Sequence, residues 1–448
     1  MTTQSRSASQ RAQTSQTRGA SRRTQTSQTR SASQRGQTSQ TRGASRQTQT
    51  SRNRNASRRT QTSRNRGRSP QKRIFGCFTE FQFYALVYLA GIVLLNIVIW
   101  SSRSFCDWFS EYVFPIFLNT YGRLTRLFPF SVGEVLIVLG ILLCLLAALL
   151  WIFLCIWRKN RRFAGACRLI RGYYRFFTAV LLNVALLMTL NCFVLYHCTP
   201  IDPNPARETR EYTGEELLTL RNFVVEQANA LADQMERDED GLVVYTGDLQ
   251  AECRKAMRRL GDTYPKLDGW YTKVKTLHFS DLVSQMYIGG YFFPFSMEAN
   301  ANGNMYLVNY PEVYCHELAH TRGYIYEDEA NFLSYLACIG SDDPFLQYSG
   351  YLSVISYIER DCEESLANGW QAEAVGWNEY IAQVDLAFLE PGAWERIEEN
   401  AVISTETVEA VSDKVTDASL KVNGVQSGIV SYSEVVGLLL AYYDGILY

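Results

Sequence analysis

The sequence predicts a membrane protein with three transmembrane helices, a mainly α-helical (α+β) domain with a small β-sheet outside the cytoplasm, and a disordered N-terminal tail. Three observations predict this fold class. Residues 1–73 hold eighteen Lys and Arg residues and no Asp or Glu, residues 74–198 are largely apolar, and residues 199–448 hold 16 Lys and Arg against 41 Asp and Glu. The formal net charge of −1 is therefore an average over three unlike regions.

Residues 1–75 are the predicted tail, a low-complexity sequence of Ser, Thr, Gln and Arg in which the hexapeptide at 6–11 recurs at 30–35. Because almost no apolar side chain is present, burial cannot offset the entropy of ordering, and we predict disorder. The arginines suit contact with anionic membrane lipid, whereas nucleic acid is the less favoured partner. The simplest interpretation is a solvated basic tail that fixes topology.

Residues 76–198 contain three apolar stretches of membrane-spanning length, at about 81–100, 135–157 and 176–196. None contains a charged residue, and each is longer than the core of a cleaved secretory signal. We expect the polar residues within them to join one helix to another rather than to line a transport pathway. These residues are Asn96, Asn183 and Asn191.

Basic residues predict the orientation of the spans. The arginine-rich tail precedes the first span, and a second basic group lies between the second and third spans. Both groups should remain in the cytoplasm by the positive-inside rule. The loop at 101–134 and the region 199–448 then lie outside. The second group consists of Arg158, Lys159, Arg161, Arg162, Arg168, Arg171 and Arg175.

Residues 199–448 are predicted to form a globular domain rich in helices. A capping-box pattern from Thr213 to Glu216 opens the first helix, and residues 270–279 alternate like a strand. Residues 296–301 are a candidate edge strand, which could pair with an extended peptide or be a plain surface hairpin. Further helices are expected at 248–260, 327–340, 350–364, 377–386, 405–420 and 433–443.

The pentad His316-Glu317-Leu318-Ala319-His320 has the H-E-x-x-H pattern. On a helix its two histidines lie one turn apart on the same face, so both imidazoles can bind one Zn²⁺ ion. Glu317 is then the candidate general base, beside the open coordination position. Apolar neighbours indicate that this helix is buried, and buried histidines and a carboxylate need a partner such as a metal ion.

A zinc site with two histidines needs a third protein ligand, and two known sequence patterns can supply one. The H-E-x-x-H-x-x-G-x-x-H scheme has its glycine at Gly323 but places Tyr326 where the third histidine should be. The second scheme takes a glutamate from a following helix, and Glu327 fits, with Asn331 on the same face to support a ligating histidine. Glu329 is the second choice. The domain at 199–448 is therefore expected to be zincin-like.

Three motifs of the sequence carry a resemblance to a known family. They are Phe128-Pro129-Phe130-Ser131-Val132-Gly133-Glu134, the stretch His316–Phe332, and Leu420-Lys421-Val422-Asn423-Gly424 with Ser431-Tyr432 and 438–443. Together they resemble the bacterial membrane family catalogued as domain of unknown function 3810, over about residues 76–446. The resemblance implies a multi-pass protein of the bacterial cell membrane and supplies no activity. More distantly, the pentad with Glu327 and Asn331 is similar to the H-E-x-x-H…E-x-x-A-D arrangement of gluzincin-type membrane peptidases, with Asn331 in place of the Asp.

The sequence thus predicts a membrane-anchored zinc metallopeptidase that hydrolyses a peptide or protein substrate outside the cytoplasm. One alternative is a non-catalytic envelope or signalling protein with a structural zinc site, which a fourth protein ligand would favour. Another is a membrane scaffold whose working part is the basic tail.

Overall fold

The structure is a computed structural model that describes residues 73–74, 78–207, 210–425 and 434–448. The predictions made for the tail at 1–75 lie outside the described residues, except at residues 73–74. Residues 70–448 belong to one compact unit. The first described elements are β1 (Arg73–Ile74) and β2 (Phe78–Thr79), which pair antiparallel just before the first long helix.

Three helices are long and apolar enough to cross a membrane, which confirms the predicted spans. They are α1 (Glu80–Ser101), α5 (Val132–Trp157) and α6 (Ala164–Met188), and α6 continues as a π turn at Thr189–Phe193. The third helix begins at Ala164 rather than near residue 176. The last three basic residues that precede the predicted third span, from Arg168 to Arg175, therefore lie on helix α6 and not in a loop.

Two of the three asparagines join helices α1 and α6, as predicted. Asn96 donates to Thr189 at 3.1 Å, and Asn183 accepts from the Tyr88 hydroxyl at 3.2 Å. Asn191 differs, because its amide donates to the carbonyl of Pro294 at 2.8 Å and so contacts the domain.

The loop expected at 101–134 is almost entirely helical. It contains α2 (Arg103–Trp108), α3 (Phe114–Phe117) and α4 (Arg123–Thr125), and π turns at Phe109–Val113 and Leu118–Gly122 join them. A second hydrophobic core lies between this segment, the end of the third span and the domain. The segment therefore packs between the spans and the domain.

The domain is mainly helical. Its described α-helices are α7 (Gly214–Ala232), α8 (Leu249–Arg259), α9 (Ser280–Gln285), α10 (Tyr310–Thr321), α11 (Glu327–Ile339), α12 (Pro344–Ser365), α13 (Ala393–Asn400), α14 (Thr405–Val422) and α15 (Val435–Tyr443). The principal hydrophobic core of the domain lies among α7, α8, α10, α11, α12 and α15. The capping box predicted at Thr213 is present. The helix predicted at 377–386 is shorter than expected, because its regular part is a π turn at Ile381–Asp385.

A three-stranded sheet contains β3 (Lys275–Thr276), β4 (Gly290–Phe293) and β5 (Glu298–Ala301) in the order β3-β5-β4. Strand β5 pairs parallel with β3 and antiparallel with β4. Two predictions were wrong. The strand expected at 270–279 is only two residues long, and the candidate edge strand at 296–301 contains β5, which is the central strand. The edge strands on either side of β5 are β3 and β4.

A buried ion pair explains why the expected alternation failed. The alternation over residues 270–279 places Lys273 and Lys275 on one face, but the Lys275 side chain is 6% exposed and forms an ion pair with Glu298, whose side chain is 1% exposed. The Lys275 ammonium also donates to the carbonyls of Thr125 and Phe130, each at 2.8 Å. The lysine is buried because three oxygen-bearing groups surround its charge, and hydropathy alone does not reveal such partners.

The motif at 128–134 joins the second span to the sheet. The Glu298 carboxylate accepts from the backbone N–H groups of Val132 at 3.3 Å and Gly133 at 2.8 Å, which are the first residues of α5. In return, Glu134 accepts from the N–H groups of His278 and Phe279, both at 2.9 Å. The N–H groups at a helix start lack partners in the helix, so a carboxylate there stabilises it.

The Lys275–Glu298 pair should contribute substantially to the stability of this junction. Lys275→Met leaves the Glu298 carboxylate buried without its cation, which should cost about 3–5 kcal/mol. The control Lys421→Met removes an exposed pair with Asp417 and should cost at most about 0.5 kcal/mol. Thermal unfolding of the detergent-solubilised protein, followed by circular dichroism, measures both. Equal midpoints for the two variants would contradict this account of the junction.

Candidate metal centre

Helices α10 and α11 bring the predicted zinc ligands together, and the turn between them depends on Gly323. Its φ of +91° lies in the left-handed region that favours glycine. A Cβ atom there would lie 3.1 Å from Ser110 Oγ, 3.4 Å from a ring carbon of Phe114 and 3.5 Å from a methyl carbon of Leu195. Both the backbone conformation and the close packing therefore require glycine at this turn.

Three side chains that were predicted to be ligands converge on one point. One ligand atom from each of His316, His320 and Glu327 lies within 4.8 Å of the other two. Glu327 Oε2 is 3.2 Å from His316 Nε2 and 3.5 Å from His320 Nε2. Two imidazoles and a carboxylate are a donor set that fits Zn²⁺. The site therefore has the composition and compactness that a zinc ion needs.

The orientation of His320 is set from its other nitrogen. Its Nδ1 atom lies 2.7 Å from the carbonyl oxygen of Tyr324. Because a carbonyl can only accept, Nδ1 carries the proton, and the lone pair of Nε2 points to the cluster. Such a hydrogen bond fixes the tautomer and ring orientation of metal-binding histidines. The tight turn at Gly323 thus positions Tyr324 for this contact.

The charges of the cluster influence one another in the metal-free chain. Burial lowers the pKa of His316, but the hydrogen bond and charge of Glu327, with the nearby Glu317 and Glu312, raise it to about 9 overall. Burial acts to raise the pKa of Glu327, but the two histidines lower it well below its usual range. The Glu327 carboxylate therefore stays ionised beside His316, whose imidazole holds positive charge in the metal-free chain, a role that a metal cation can take over.

Glu317 lies in the same buried space and is held by fewer contacts. Its side chain is buried, and its Oε2 atom has no hydrogen-bond partner among the described residues. Burial raises the pKa of Glu317 to about 7, although both histidines oppose the shift. A buried carboxylate oxygen that accepts no hydrogen bond costs free energy. Glu317 Oε2 is therefore suited to accept a hydrogen bond from a water or a substrate.

Gly290, the first residue of β4, has no side chain, and the Glu317 side chain lies in the space that a Cβ atom would need. A Cβ atom at this position would lie 2.8 Å from Glu317 Oε1 and 2.6 Å from the carbonyl oxygen of Asn300. The sheet edge and the pentad helix therefore meet at the candidate base. The glycine was visible in the sequence within an aromatic, turn-rich stretch, but nothing local indicated which side chain it accommodates.

Two further polar contacts surround the cluster. Glu312 accepts from the Ser334 hydroxyl at 3.0 Å, and it lies one turn before His316 on α10. Sequence reasoning missed Glu312, although its spacing of four residues from His316 placed it on the ligand face. Asn331 is buried and hydrogen-bonds to Tyr357. Its role in supporting a ligating histidine stays a prediction.

Glu329, the second choice for the third ligand, points elsewhere. Its Oε1 atom accepts from the backbone N–H of Ile201 at 2.8 Å, so it fixes the start of the domain. Burial raises the pKa of Glu329 to about 7. The geometry therefore favours Glu327 over Glu329, in agreement with the order of the two predictions.

Comparison with known proteins gives one match. A family model described as "Protein of unknown function (DUF3810)" matches residues 109–440. No curated protein and no solved structure matches the chain. The match covers the helical segment between the first two spans from residue 109 onwards, the last two spans and nearly all of the domain, and its description names no activity.

Zinc content should distinguish the two candidate third ligands. Glu327→Ala removes the carboxylate that lies between the histidines and should reduce bound zinc from one equivalent to near zero, as His316→Ala should. Glu329→Ala is the matched control, because it removes a buried glutamate two residues away and should retain the zinc. Elemental analysis of the purified full-length variants measures this. Loss of zinc from Glu329→Ala with retention in Glu327→Ala would refute the assignment.

Proposed function

The chain belongs to the family DUF3810, whose function is unknown, and we propose that it is a membrane-anchored zinc metallopeptidase. The observation that carries the proposal is the buried group of two histidines and two glutamates. One ligand atom from each of His316, His320 and Glu327 lies within 4.8 Å of the other two. The fourth, Glu317, keeps an oxygen without a partner beside them.

The chemistry follows from the separate roles of these residues. His316, His320 and Glu327 would hold Zn²⁺, which when bound acts as a Lewis acid towards a carbonyl and lowers the pKa of water. Glu317 would accept a proton from the attacking water as the new C–O bond forms. It would then deliver that proton to the departing amine nitrogen as the C–N bond breaks, so the carboxylate is regenerated.

The number of ligands supports catalysis over a structural role. Structural zinc sites usually have four protein ligands, whereas catalytic sites have three and leave one position open. Among the described residues, the cluster consists of His316, His320 and Glu327. The fourth position is therefore available for water or substrate, next to Glu317.

The sheet supports a peptide as the substrate. Strand β4 lies at the edge of the sheet, and its first residue, Gly290, adjoins Glu317. An extended peptide can add to an edge strand through backbone hydrogen bonds, which are independent of side-chain identity. Such a peptide would run past the candidate base. The strand that would pair with an extended peptide is therefore β4 and not residues 296–301.

We further propose the cell membrane of a bacterium as the location, with the tail in the cytoplasm and the domain outside it. The basic residues between α5 and α6 include Arg158, Lys159 and Arg162. Together with the arginine-rich tail, they favour this orientation by the positive-inside rule. The zinc site would then face substrates of the cell envelope.

Glu317→Gln should separate metal binding from catalysis. The substitution keeps the size of the side chain but removes its ability to accept a proton, so zinc should remain and hydrolysis should fall by about 10²–10⁴-fold. A mixture-based peptide library, analysed by mass spectrometry with the full-length protein in detergent, measures hydrolysis. Undiminished cleavage by this variant with zinc bound would contradict the mechanism.

Gly290→Ala should impair catalysis without removing the metal ligands. Its methyl group would collide with Glu317 and with the backbone of β5, so Glu317 should shift and cleavage should decrease while zinc is retained. The control Gly437→Ala places a methyl group on α15 with nothing within 4 Å. It should cleave the same library as the unmodified protein does. Equal activity of the two variants would show that Gly290 does not position the base.

A further inference from the structure

The helical segment between the first two spans, residues 103–125, has a surface pattern that the proposed function does not explain. We call it the connecting segment. Five of its buried residues recur every four positions, at Cys106, Ser110, Phe114, Leu118 and Gly122, and two residues beside this stripe, Phe109 and Thr125, are also buried. An α-helix has 3.6 residues per turn, so a stripe with a period of four would drift around it. The two π turns, which take more residues per turn, keep the stripe on the domain side.

With about four residues per turn, the position two residues along lies on the opposite side of the segment. That opposite stripe is exposed and mainly apolar. The exposed fractions of its large members are 51% for Trp108, 59% for Tyr112, 58% for Ile116 and 57% for Leu124. Thr120 completes the stripe. An exposed apolar row of this length on the face away from the domain indicates an apolar partner.

A third stripe is polar and lies between the buried and exposed stripes. It consists of Asp107, Glu111, Pro115, Asn119 and Arg123. The first three of these residues line a cavity of about 400 Å³, together with Lys266, Arg322 and Tyr324 of the domain. The segment is therefore amphipathic, with one polar side that faces an open, charged cavity and one apolar side that is not covered by the described chain.

The chain itself indicates which apolar partner covers this face. The segment starts two residues after α1 ends and finishes seven residues before α5 begins, so both of its ends are attached to membrane spans. The turn that follows it is also exposed and apolar, at Leu127, Phe128 and Phe130. Trp and Tyr are enriched at the boundary between headgroups and acyl chains, and amphipathic helices lie there with their apolar side in the lipid.

We propose that the connecting segment lies in the boundary between the headgroups and acyl chains of the bilayer, and that the substrates are polypeptides anchored in the same membrane. The second part rests on the peptidase function proposed above. The turn after the pentad packs closely on this segment, because a Cβ atom added at Gly323 would lie 3.1 Å from Ser110 Oγ and 3.4 Å from a ring carbon of Phe114. A helix with its side chains is about 10 Å across, so the turn lies roughly that far above the lipid.

This position restricts which peptide bonds can reach the site. His320 is three residues before Gly323, so the candidate metal centre lies close to the membrane surface. A polypeptide held in the same bilayer meets the site at a high effective concentration, whereas a free peptide does not. The substrate class is therefore the juxtamembrane part of anchored proteins or lipid-modified peptides.

Photo-crosslinking to lipid tests the position of the segment without any assumption about activity. A benzophenone amino acid is placed at Tyr112 or Ile116 of the apolar stripe, and at Glu111 or Asn119 of the polar stripe as matched controls. The full-length protein is reconstituted in vesicles of phosphatidylethanolamine and phosphatidylglycerol. Lipid adducts are expected at the first pair, as at Leu94 within α1, and should be lost at the second pair. Adducts at Leu94 without adducts at Tyr112 and Ile116, or equal adducts in both stripes, would overturn the proposed position.

Tethered peptides test the substrate class. One peptide library is attached to a lipid anchor through linkers of about 5 and about 40 residues, which span roughly 17 and 130 Å when extended, and is also supplied without an anchor. The short-tethered library should be cleaved about tenfold faster than the free library at equal total concentration. Equal rates would overturn the substrate class and leave the peptidase function standing. Cleavage of neither library would overturn both, while the crosslinking result would still decide where the segment lies.

Discussion

The need to neutralise charge in a buried space determines the architecture of this protein. One ligand atom from each of His316, His320 and Glu327 lies within 4.8 Å of the other two, and the buried Glu317 carboxylate adjoins them. Groups of this kind are costly to remove from water unless a counter-charge compensates them. The turn at Gly323, the Tyr324 carbonyl and the edge of the sheet all position these groups, and a divalent cation would complete their neutralisation.

The same principle joins the domain to the membrane spans. Glu298 stabilises the first turn of the second span and neutralises the buried Lys275, while Glu134 of that span binds the amides at residues 278–279. Each element provides the charge or donor that the other lacks. The domain is therefore fixed on the spans through polar contacts of defined geometry, which fixes the position of the candidate metal centre relative to the spans.

Local patterns in the sequence predicted what depends on local geometry. The spans follow from hydropathy, and Glu327 followed from helical spacing after the pentad. What the sequence did not predict depends on distant partners. The alternation over residues 270–279 places Lys275 on the same face as Lys273, but Lys275 is buried because Glu298, on another strand, neutralises it. The central position of β5 is a matter of sheet order, which alternation does not encode. The connecting segment has a period of four, so neither the helical nor the strand pattern matched it.

The most direct test of the metal centre is a crystal structure of the full-length protein with data collected at the zinc absorption edge. The account predicts one anomalous peak, about 2.0–2.2 Å from His316 Nε2, His320 Nε2 and a carboxylate oxygen of Glu327, with an open position that faces Glu317. A peak with a fourth protein ligand would indicate a structural zinc site. The absence of any peak at these residues, in crystals grown with zinc, would contradict the central claim.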